Sequence, residues 1–410
     1  MPWTPPERPR WVRRLNAHAA AVGGARHLVS LEPEALLDTA IAAKGLDDFG
    51  GDAWRVHYEV LLESLEREAD LHLAGRLLTR AEILRALRNR LRLAELWRRR
   101  PEILRDPVAP PIFVVGSPRS GTSILHELLA LDPASRAPAL WEMHHPVEAL
   151  EDERLRPVGD EVATFWHDLQ PEYETMHANS GDLPNECIYI TLHEFLSDHW
   201  GGCHNAPSYE RHLAKADHRP AYRYHRDFLR TLQQRARGER WLLKAPSHLF
   251  QLRALFDVYP EARIVQTHRD PAKTIPSVLS LMGTLKWMRC ESADPAATAA
   301  RTAAGYAHVF RDEIEARASG ELPDARFVDV RYADVVADPA RAVEEIYAAL
   351  GLRVPAGLAD TVREYVAAKP RGAHGAHRYG LAEMGLDAGE IRERFAFYRE
   401  RFDVPEESAA

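Results

Sequence analysis

Residues Pro111–Leu131, PIFVVGSPRSGTSILHELLAL, form the stretch that decides the fold. Ile112–Val115 is a short run of β-branched and aromatic residues between proline and glycine, which is typical of a buried parallel strand. Gly116–Ser123 then contains two glycines, an arginine and several hydroxyls. Apolar residues recur at helical spacing from Ile124 onward. The sequence therefore predicts a strand, a tight loop and a helix in direct succession.

This arrangement is typical of an anion site. Unpaired amides and the positive dipole end of the helix converge on the loop, and Arg119 adds a permanent positive charge. In the nucleotide loop G-x-x-x-x-G-K-[ST], Gly116 and Gly121 would match, but Thr122 stands where the lysine belongs. An ATPase or kinase would thereby lose a central residue. A plain glycine turn that joins strand to helix stays open as the alternative.

The pattern P-R-S-G-T-[ST] after an apolar strand resembles the sulfotransferases that use 3′-phosphoadenosine 5′-phosphosulfate (PAPS). In that family the loop holds the 5′-phosphosulfate of the donor. The resemblance implies that this role falls here to Arg119, Ser120, Gly121, Thr122 and Ser123.

A second informative block spans Arg240–Leu281. Trp241–Leu243 reads as a strand that ends in Lys244, and Ala262–Thr267 reads as another strand after an intervening helix. In such β-α-β units ligands meet the carboxyl ends of the strands. Lys244 and Arg269 are therefore expected at the same crevice as the glycine loop.

The same block resembles the sulfotransferase core in its K-x-P-x-H and R-D-P segments. The resemblance implies that Arg269 and Ser277 bind the 3′-phosphate of the donor, a role that suits the bidentate guanidinium fork. It also makes Tyr332 the candidate that stacks on adenine, although packing alone could explain this tyrosine. Arg371 and Gly372, in a G-x-x-G-x-x-R segment, are expected to complete the 3′-phosphate site.

Three residues are candidates for the chemistry of in-line sulfuryl transfer to a hydroxyl or an amine. Lys244 is placed to stabilise the charge that develops in the transition state. The proton of the acceptor would pass to Glu142 or to His248. Glu142 follows Trp141, and some sulfotransferases use a glutamate from roughly this region. A surface or helix-capping carboxylate is the alternative interpretation of Glu142.

Composition limits what else the protein can be. The chain has 410 residues, of which 45% are apolar and 28% charged, and its net charge of −8 argues against a general nucleic-acid binder. Three cysteines cannot form a disulfide framework and suit a reducing compartment. No signal peptide, membrane span or zinc-ligand spacing is recognisable. We therefore expect a cytoplasmic protein without a metal site.

The predicted organisation is an α/β domain over residues 106–410 with a helical extension over 1–105. In the extension, helices are expected from Pro33 to Gly45, from Asp52 to Gly75, and from Ala81 to Arg99 after a Thr79 cap. Residues 151–240 read as a helical insertion that forms the acceptor pocket and a lid. The core would be a doubly wound parallel sheet with a P-loop-like nucleotide site and helices on both faces.

These observations predict a PAPS-dependent sulfotransferase whose acceptor is a small molecule, a glycan or a lipid. A small-molecule kinase is one alternative, and it should show G-K-[ST] and an aspartate that binds magnesium. A non-catalytic nucleotide-binding module is the other, and it would tolerate loss of Lys244. The identity of the acceptor and the oligomeric state are not predicted.

Overall fold

The fold is built on a central parallel sheet. The computed structural model describes residues 3–176, 180–369 and 379–407. The strands are β1 Pro111–Gly116, β2 Ser135–Arg136, β3 Arg240–Lys244, β4 Arg263–His268 and β5 Phe327–Arg331. They lie in the order β2-β3-β1-β4-β5, and every pair is parallel. The predicted parallel α/β sheet is confirmed, with the strand of the deciding stretch at its centre.

The helices of the described residues are numbered in chain order. Before β3 they are α1 Arg10–Ala21, α2 Ala25–Leu28, α3 Pro33–Lys44, α4 Arg55–Glu68, α5 Leu73–Arg99, α6 Thr122–Leu129, α7 Leu140–His144, α8 Arg156–Leu169, α9 Glu172–Met176, α10 Ile188–Thr191, α11 Asp198–Cys203, α12 Pro207–Leu213 and α13 Arg219–Gln233. After β3 they are α14 Leu252–Val258, α15 Pro271–Trp287, α16 Ala296–Ser319, α17 Tyr332–Ala337, α18 Pro339–Ala349, α19 Leu358–Ala368, α20 Ala388–Arg394 and α21 Ala396–Phe402.

Alternate residues of β1 face two separate hydrophobic cores. Ile112 and Val114 belong to the core that α6, α18 and α19 complete on one face of the sheet. Phe113 and Val115 belong to the larger core on the opposite face. This alternation follows from the two-residue period of a strand. Helices therefore cover both faces, as the sequence predicts for a doubly wound sheet.

The first hundred residues are helical and share the larger core. Leu36 of α3, Leu61 of α4 and Leu87 of α5 lie in the same buried cluster as Phe113 and Leu243 of the sheet. Because one apolar cluster joins these helices to the strands, the helices contribute directly to the core of the sheet. A domain boundary near residue 105 stays a prediction.

The break between the second and third helices lies at residues 69–72, and its predicted position between Gly75 and Thr79 is wrong. Helix α4 ends at Glu68, and α5 runs without interruption through Gly75 and Thr79. Gly75 lies where a Cβ atom would collide with the backbone of Arg289, so this glycine serves close packing and not helix termination. The Thr79 hydroxyl donates to the Gly75 carbonyl at 2.8 Å, within the helix. The side chain that caps α5 is His72, whose Nδ1 accepts from the Gly75 amide at 2.9 Å.

No helix among the described residues is both long enough and apolar enough to cross a bilayer. Three cysteines, Cys187, Cys203 and Cys290, are buried and unbridged. No group of metal-ligating side chains occurs within the described ranges.

Candidate active site

The loop between β1 and α6 takes its shape from two glycines with positive φ. Gly116 (φ 146°) lies against Thr267 of β4, whose carbonyl oxygen would be 2.7 Å from an added Cβ. Gly121 (φ 91°) lies against the ring of Tyr332, which would be 2.6 Å from a Cβ. Any larger residue would need both an unusual backbone conformation and extra space. The loop is thus closely packed against Thr267 at the end of β4 and against Tyr332, which follows β5.

The hydroxyl residues Ser120, Thr122 and Ser123 have two different environments. Ser120 is buried, and its hydroxyl donates to the Ser117 carbonyl at 2.6 Å and lies 2.6 Å from the Thr267 hydroxyl oxygen. Ser120 therefore fixes the loop. Thr122 and Ser123 begin α6 and line the cavity described below. Their position at a helix N-terminus directs amide groups toward the same space.

Arg119 connects the loop to the predicted 3′-phosphate residues. Its φ of 70° is unusual for a residue with a side chain. The Arg119 Nε atom donates to the Ser277 hydroxyl at 3.2 Å, and its carbonyl accepts from Arg269 Nη1 at 2.8 Å. Burial lowers the pKa of Arg119. The structure therefore brings Arg119, Ser277 and Arg269 together at the carboxyl edge of the sheet.

Arg269 lies between an aromatic ring and a carboxylate. Its guanidinium stacks 4.1 Å from the ring centroid of Tyr332. Both oxygens of Glu407 accept from the same guanidinium, at 2.7 Å and 2.8 Å. Burial disfavours the charge, but Glu407, Tyr332 and Tyr379 together outweigh it and raise the pKa of Arg269. A planar, bidentate anion contact is thus already built at the position predicted for phosphate.

Lys244 forms the centre of a second charged cluster. It is the last residue of β3 and is 3% exposed. Its Nζ atom donates to the Ser123 hydroxyl at 2.9 Å and to Glu186 Oε1 at 2.5 Å. The Cys187 amide donates to the Lys244 carbonyl at 2.8 Å and fixes the segment that carries Glu186. Lysine, glutamate and the start of α6 therefore meet at one point.

Glu186 is a site residue that the sequence analysis missed. It lines the cavity, whereas Lys244 lies behind it and contacts it from the side of the sheet. Pro184, two residues before Glu186, forms an isolated β-bridge with Ala139. The signal in the sequence was weak, because a single glutamate after Asn185 in an irregular stretch matches no motif that we considered.

A cavity of about 480 Å³ opens beside these clusters. At one end it is lined by the loop, Arg119, Arg269 and Tyr332. Most of the remaining wall is apolar or aromatic, and includes Trp166, Tyr173, Ile188, Tyr189, Cys203, Phe250, Val278, Leu281, Met282, Leu285 and Tyr306. This size and lining suit a small-molecule site.

Asp198 places a carboxyl group in this largely apolar wall. It is the first residue of α11, is exposed, and lines the cavity. Desolvation raises the pKa of Asp198 to about 6, although a hydrogen bond from Ser247 opposes the shift. The cavity therefore contains a carboxyl group that titrates close to neutral pH.

Glu142 lies outside the cavity in a buried ion-pair cluster. Arg136 donates to it at 2.8 Å and Arg235 at 3.3 Å, and the Ala139 amide donates to its Oε2 at 3.0 Å. The side chain thus caps the first turn of α7 and neutralises two arginines. This placement matches the helix-capping alternative and does not bring Glu142 to Lys244, as the role of base would require.

His248 also lies outside the main cavity. Its Nδ1 atom is 2.7 Å from the Tyr222 hydroxyl, and its ring meets Phe113 edge-on at a centroid distance of 4.9 Å. Burial, together with His225 and Lys244, lowers its pKa well below the ordinary value. His248 is therefore a neutral packing residue beneath the sheet edge.

Arg371 and Gly372 fall outside the described residues.

Comparison with known proteins identifies the family of this chain. The family model described as "Sulfotransferase family" matches residues 110–356. A curated relative is the omega-hydroxy-beta-dihydromenaquinone-9 sulfotransferase Stf3 of Mycobacterium bovis, which is 26% identical over 304 residues. That alignment covers 71% of this chain and 76% of the relative.

Two crystal structures of mycobacterial proteins share the fold along most of the chain. Sulfotransferase STF1 from Mycobacterium tuberculosis H37Rv is 31% identical with a TM-score of 0.74, over 89% of this chain and 98% of that one. Sulfotransferase STF9 from Mycobacterium avium is 25% identical with a TM-score of 0.80, over 92% and 98%. The similarity therefore includes the helical regions as well as the sheet.

Proposed function

The chain belongs to the sulfotransferase family, and from this premise we propose that it moves a sulfuryl group from PAPS to a hydroxyl or amine of an apolar acceptor. Family membership favours sulfuryl transfer over both alternatives that the sequence left open, the kinase and the non-catalytic module. The observation that carries the proposal is the meeting of two cationic clusters at one cavity: Arg119 and Arg269 line it, and Lys244 contacts Ser123 and Glu186, which also line it.

The first cluster fits the nucleotide end of the donor. Arg269 already makes a bidentate contact with a carboxylate, and Ser277 lies within hydrogen-bond reach of Arg119. Two guanidinium groups and a hydroxyl are the donors that a phosphate requires. The ring of Tyr332 lies beside them and offers a flat surface for a base. These contacts support the 3′-phosphate and adenine roles that the family resemblance implies.

The second cluster fits the reacting end. When bound, the donor supplies the sulfuryl group, and its phosphate oxygen leaves as the sulfur–oxygen bond breaks. Lys244 and the hydroxyl of Ser123 are placed to stabilise the negative charge on that oxygen. Glu186 lines the cavity and takes the proton of the acceptor hydroxyl. The hydrogen bond from Lys244 orients the Glu186 carboxylate for this transfer.

The role of Arg269 gives a first prediction. Arg269→Ala should weaken adenosine 3′,5′-bisphosphate about tenfold or more, because a charge-assisted hydrogen bond contributes about 1.5 to 3 kcal/mol. Adenosine 5′-monophosphate lacks the 3′-phosphate and should bind almost as before. Calorimetric titration of both nucleotides measures the difference. Arg331→Ala is the matched control, since Arg331 also ends a strand but pairs with Asp334 on the surface. Equal weakening of both nucleotides by Arg269→Ala would remove Arg269 from the role.

The wall of the cavity supports an apolar acceptor. Aromatic and aliphatic side chains from α8, α10, α11 and α15 make up most of it, so an acceptor gains affinity chiefly by burying hydrocarbon. The curated relative is named for an omega-hydroxylated menaquinone. For this chain we propose an acceptor of the same general kind, an apolar body with a reactive hydroxyl. Among the acceptors that the sequence left open, a lipid fits this wall better than a glycan.

Asp198 makes occupancy of the cavity depend on pH. Because its pKa is about 6, the carboxyl group is neutral below that pH and charged above it. An apolar ligand removes water from the cavity, which costs more free energy when the carboxyl group is charged. The affinity for the neutral probe N-phenyl-1-naphthylamine should therefore fall as the pH rises through about 6. In Asp198→Asn the fluorescence titration should show a flat profile over this range. A drop of the same size in both proteins would place the titrating group elsewhere.

The compartment is a separate part of the proposal. The three buried, unbridged cysteines are compatible with a reducing environment, and burial raises the pKa of Cys203 to about 11. We therefore propose a cytoplasmic location. Activity without a metal ion and the lack of a nucleic-acid partner stay predictions.

A further inference from the structure

Helix α1 has an exposed face with an unusual composition. Trp11, Arg14 and His18 are spaced three and four residues apart and share one side of the helix, and Val22 follows directly after its last residue. Trp11 is 43% exposed and Val22 is 47% exposed. We name these four residues, together with Arg10, the α1 outer face. Large apolar side chains are thus presented to solvent next to cationic ones.

The charge of this region differs from that of the whole protein. Residues 1–30 contain five arginines and one carboxylate, Glu7, whereas the whole chain has a net charge of −8. Arg13 pairs with Glu7. Arg10 and Arg14 make no ion pair within the described part of the chain. A positive patch is therefore available on a negatively charged protein.

The buried side of α1 contacts the wall of the acceptor cavity. Val12 lies in one apolar cluster with Trp166, Tyr173, Cys203 and Leu285, and these last four residues also line the cavity. The α1 outer face is therefore separated from the cavity wall by about the thickness of one helix, on the order of 10 Å.

Helix α8 extends the apolar surface around the same cluster. It contributes Trp166 and Leu169 to the cluster, and it exposes Val158 and Phe165 two turns apart. Exposed apolar side chains together with basic ones, as on the α1 outer face, are typical of a helix that lies in the interface of a bilayer.

We propose that the α1 outer face docks the protein on an anionic lipid surface. Arg10 and Arg14 contact the lipid headgroups, while Trp11 and Val22 enter the interfacial layer. Acidic proteins and nucleic acids also attract arginine, but neither offers an apolar layer for Trp11. Docking in this orientation brings the wall of the acceptor cavity next to the bilayer, where apolar acceptors are concentrated.

Sedimentation with vesicles tests the proposal on the full chain. The protein should bind vesicles of phosphatidylcholine mixed with phosphatidylglycerol, and binding should weaken as salt is added. Vesicles of phosphatidylcholine alone should retain little protein. The double variant Arg10→Glu/Arg14→Glu should lose about tenfold or more of the binding to anionic vesicles. The matched control Arg341→Glu/Arg363→Glu makes the same change of net charge at exposed arginines on α18 and α19 and should bind like the wild type.

Insertion of Trp11 is tested by fluorescence. The chain has nine tryptophans, so the signal of Trp11 is the difference between the wild type and Trp11→Phe. Brominated phosphatidylcholine in anionic vesicles should quench this difference signal. Equal binding to neutral and anionic vesicles, or equal loss in the control double variant, would overturn the proposal. Binding to heparin without binding to vesicles would do so too, and would identify a site for soluble polyanions.

These measurements require neither donor nor acceptor, so their outcome is independent of the proposed function. Titration of adenosine 3′,5′-bisphosphate into Arg10→Glu/Arg14→Glu should give the affinity of the wild type. If that nucleotide fails to bind the wild type, the donor assignment is wrong while the vesicle results still stand.

Discussion

Replacement of Lys244 by alanine is expected to lower kcat about a hundredfold or more, while the affinity for adenosine 3′,5′-bisphosphate changes only several-fold. The Nζ atom lies against Ser123 and Glu186, where the proposed mechanism places the charge that develops as the sulfur–oxygen bond breaks. An interaction that strengthens mainly in the transition state contributes to turnover more than to binding. The nucleotide retains Arg119 and Arg269, which lie in the separate cluster.

A second ion pair of the same chemistry provides the control. Lys286 on α15 donates to Glu210 at 2.9 Å and does not line the cavity. Lys286→Ala removes a lysine from a comparable pair and should leave kcat near that of the wild type. Steady-state kinetics with an identified acceptor, together with calorimetry of the nucleotide, separates the two parameters. Near-normal turnover in Lys244→Ala would make the lysine a structural charge at the end of β3.

Replacement of Glu186 by glutamine is expected to reduce kcat by about a hundredfold or more. The amide preserves the shape of the side chain and one oxygen that can accept from Lys244, but it cannot take a proton from the acceptor. The loss should become smaller as the pH rises, because an acceptor that ionises by itself needs no base. Turnover measured as a function of pH reports both effects.

Glu142→Gln and His248→Asn are the controls for this assignment. Glu142 neutralises Arg136 and Arg235, so Glu142→Gln should lower the thermal unfolding temperature and leave kcat nearly unchanged. His248→Asn should likewise affect stability through the lost contacts with Tyr222 and Phe113. A large loss of turnover in Glu142→Gln, with normal turnover in Glu186→Gln, would return the role of base to Glu142.

The sheet and the glycine loop could be predicted from the sequence because their signals are local. β-Branched runs between proline and glycine identify β1, and the charged residue at the end of β3 follows directly from its strand. Parallel strands end at a common edge, so Lys244 and Arg269 could be assigned to one crevice before any coordinates were known.

Glu186 could not be predicted in this way. Its partner Lys244 lies 58 residues further along the chain, and only the tertiary fold brings the two together. The predicted helix end at Gly75 is wrong for a related reason. A glycine within a helical pattern predicts a helix end, whereas Gly75 is required by the close approach of the Arg289 backbone. Glu142 is the converse case, because a Trp-Glu pair beside a nucleotide loop indicates function until the two arginines that neutralise it are seen.

At the proposed nucleotide site, the contact between Glu407 and Arg269 makes nucleotide binding an exchange reaction. A phosphate that takes Arg269 must displace a carboxylate of the chain itself, so the measured affinity is the difference between two ion pairs. The Glu407 amide also donates to Asp270 at 2.9 Å, which ties this part of the backbone to the same site. Binding of the nucleotide and release of Glu407 are therefore linked equilibria. Nucleotide binding favours the release of Glu407, and the contact of Glu407 with Arg269 weakens nucleotide binding. The affinity for the donor is thereby set in part by a residue that takes no part in sulfuryl transfer.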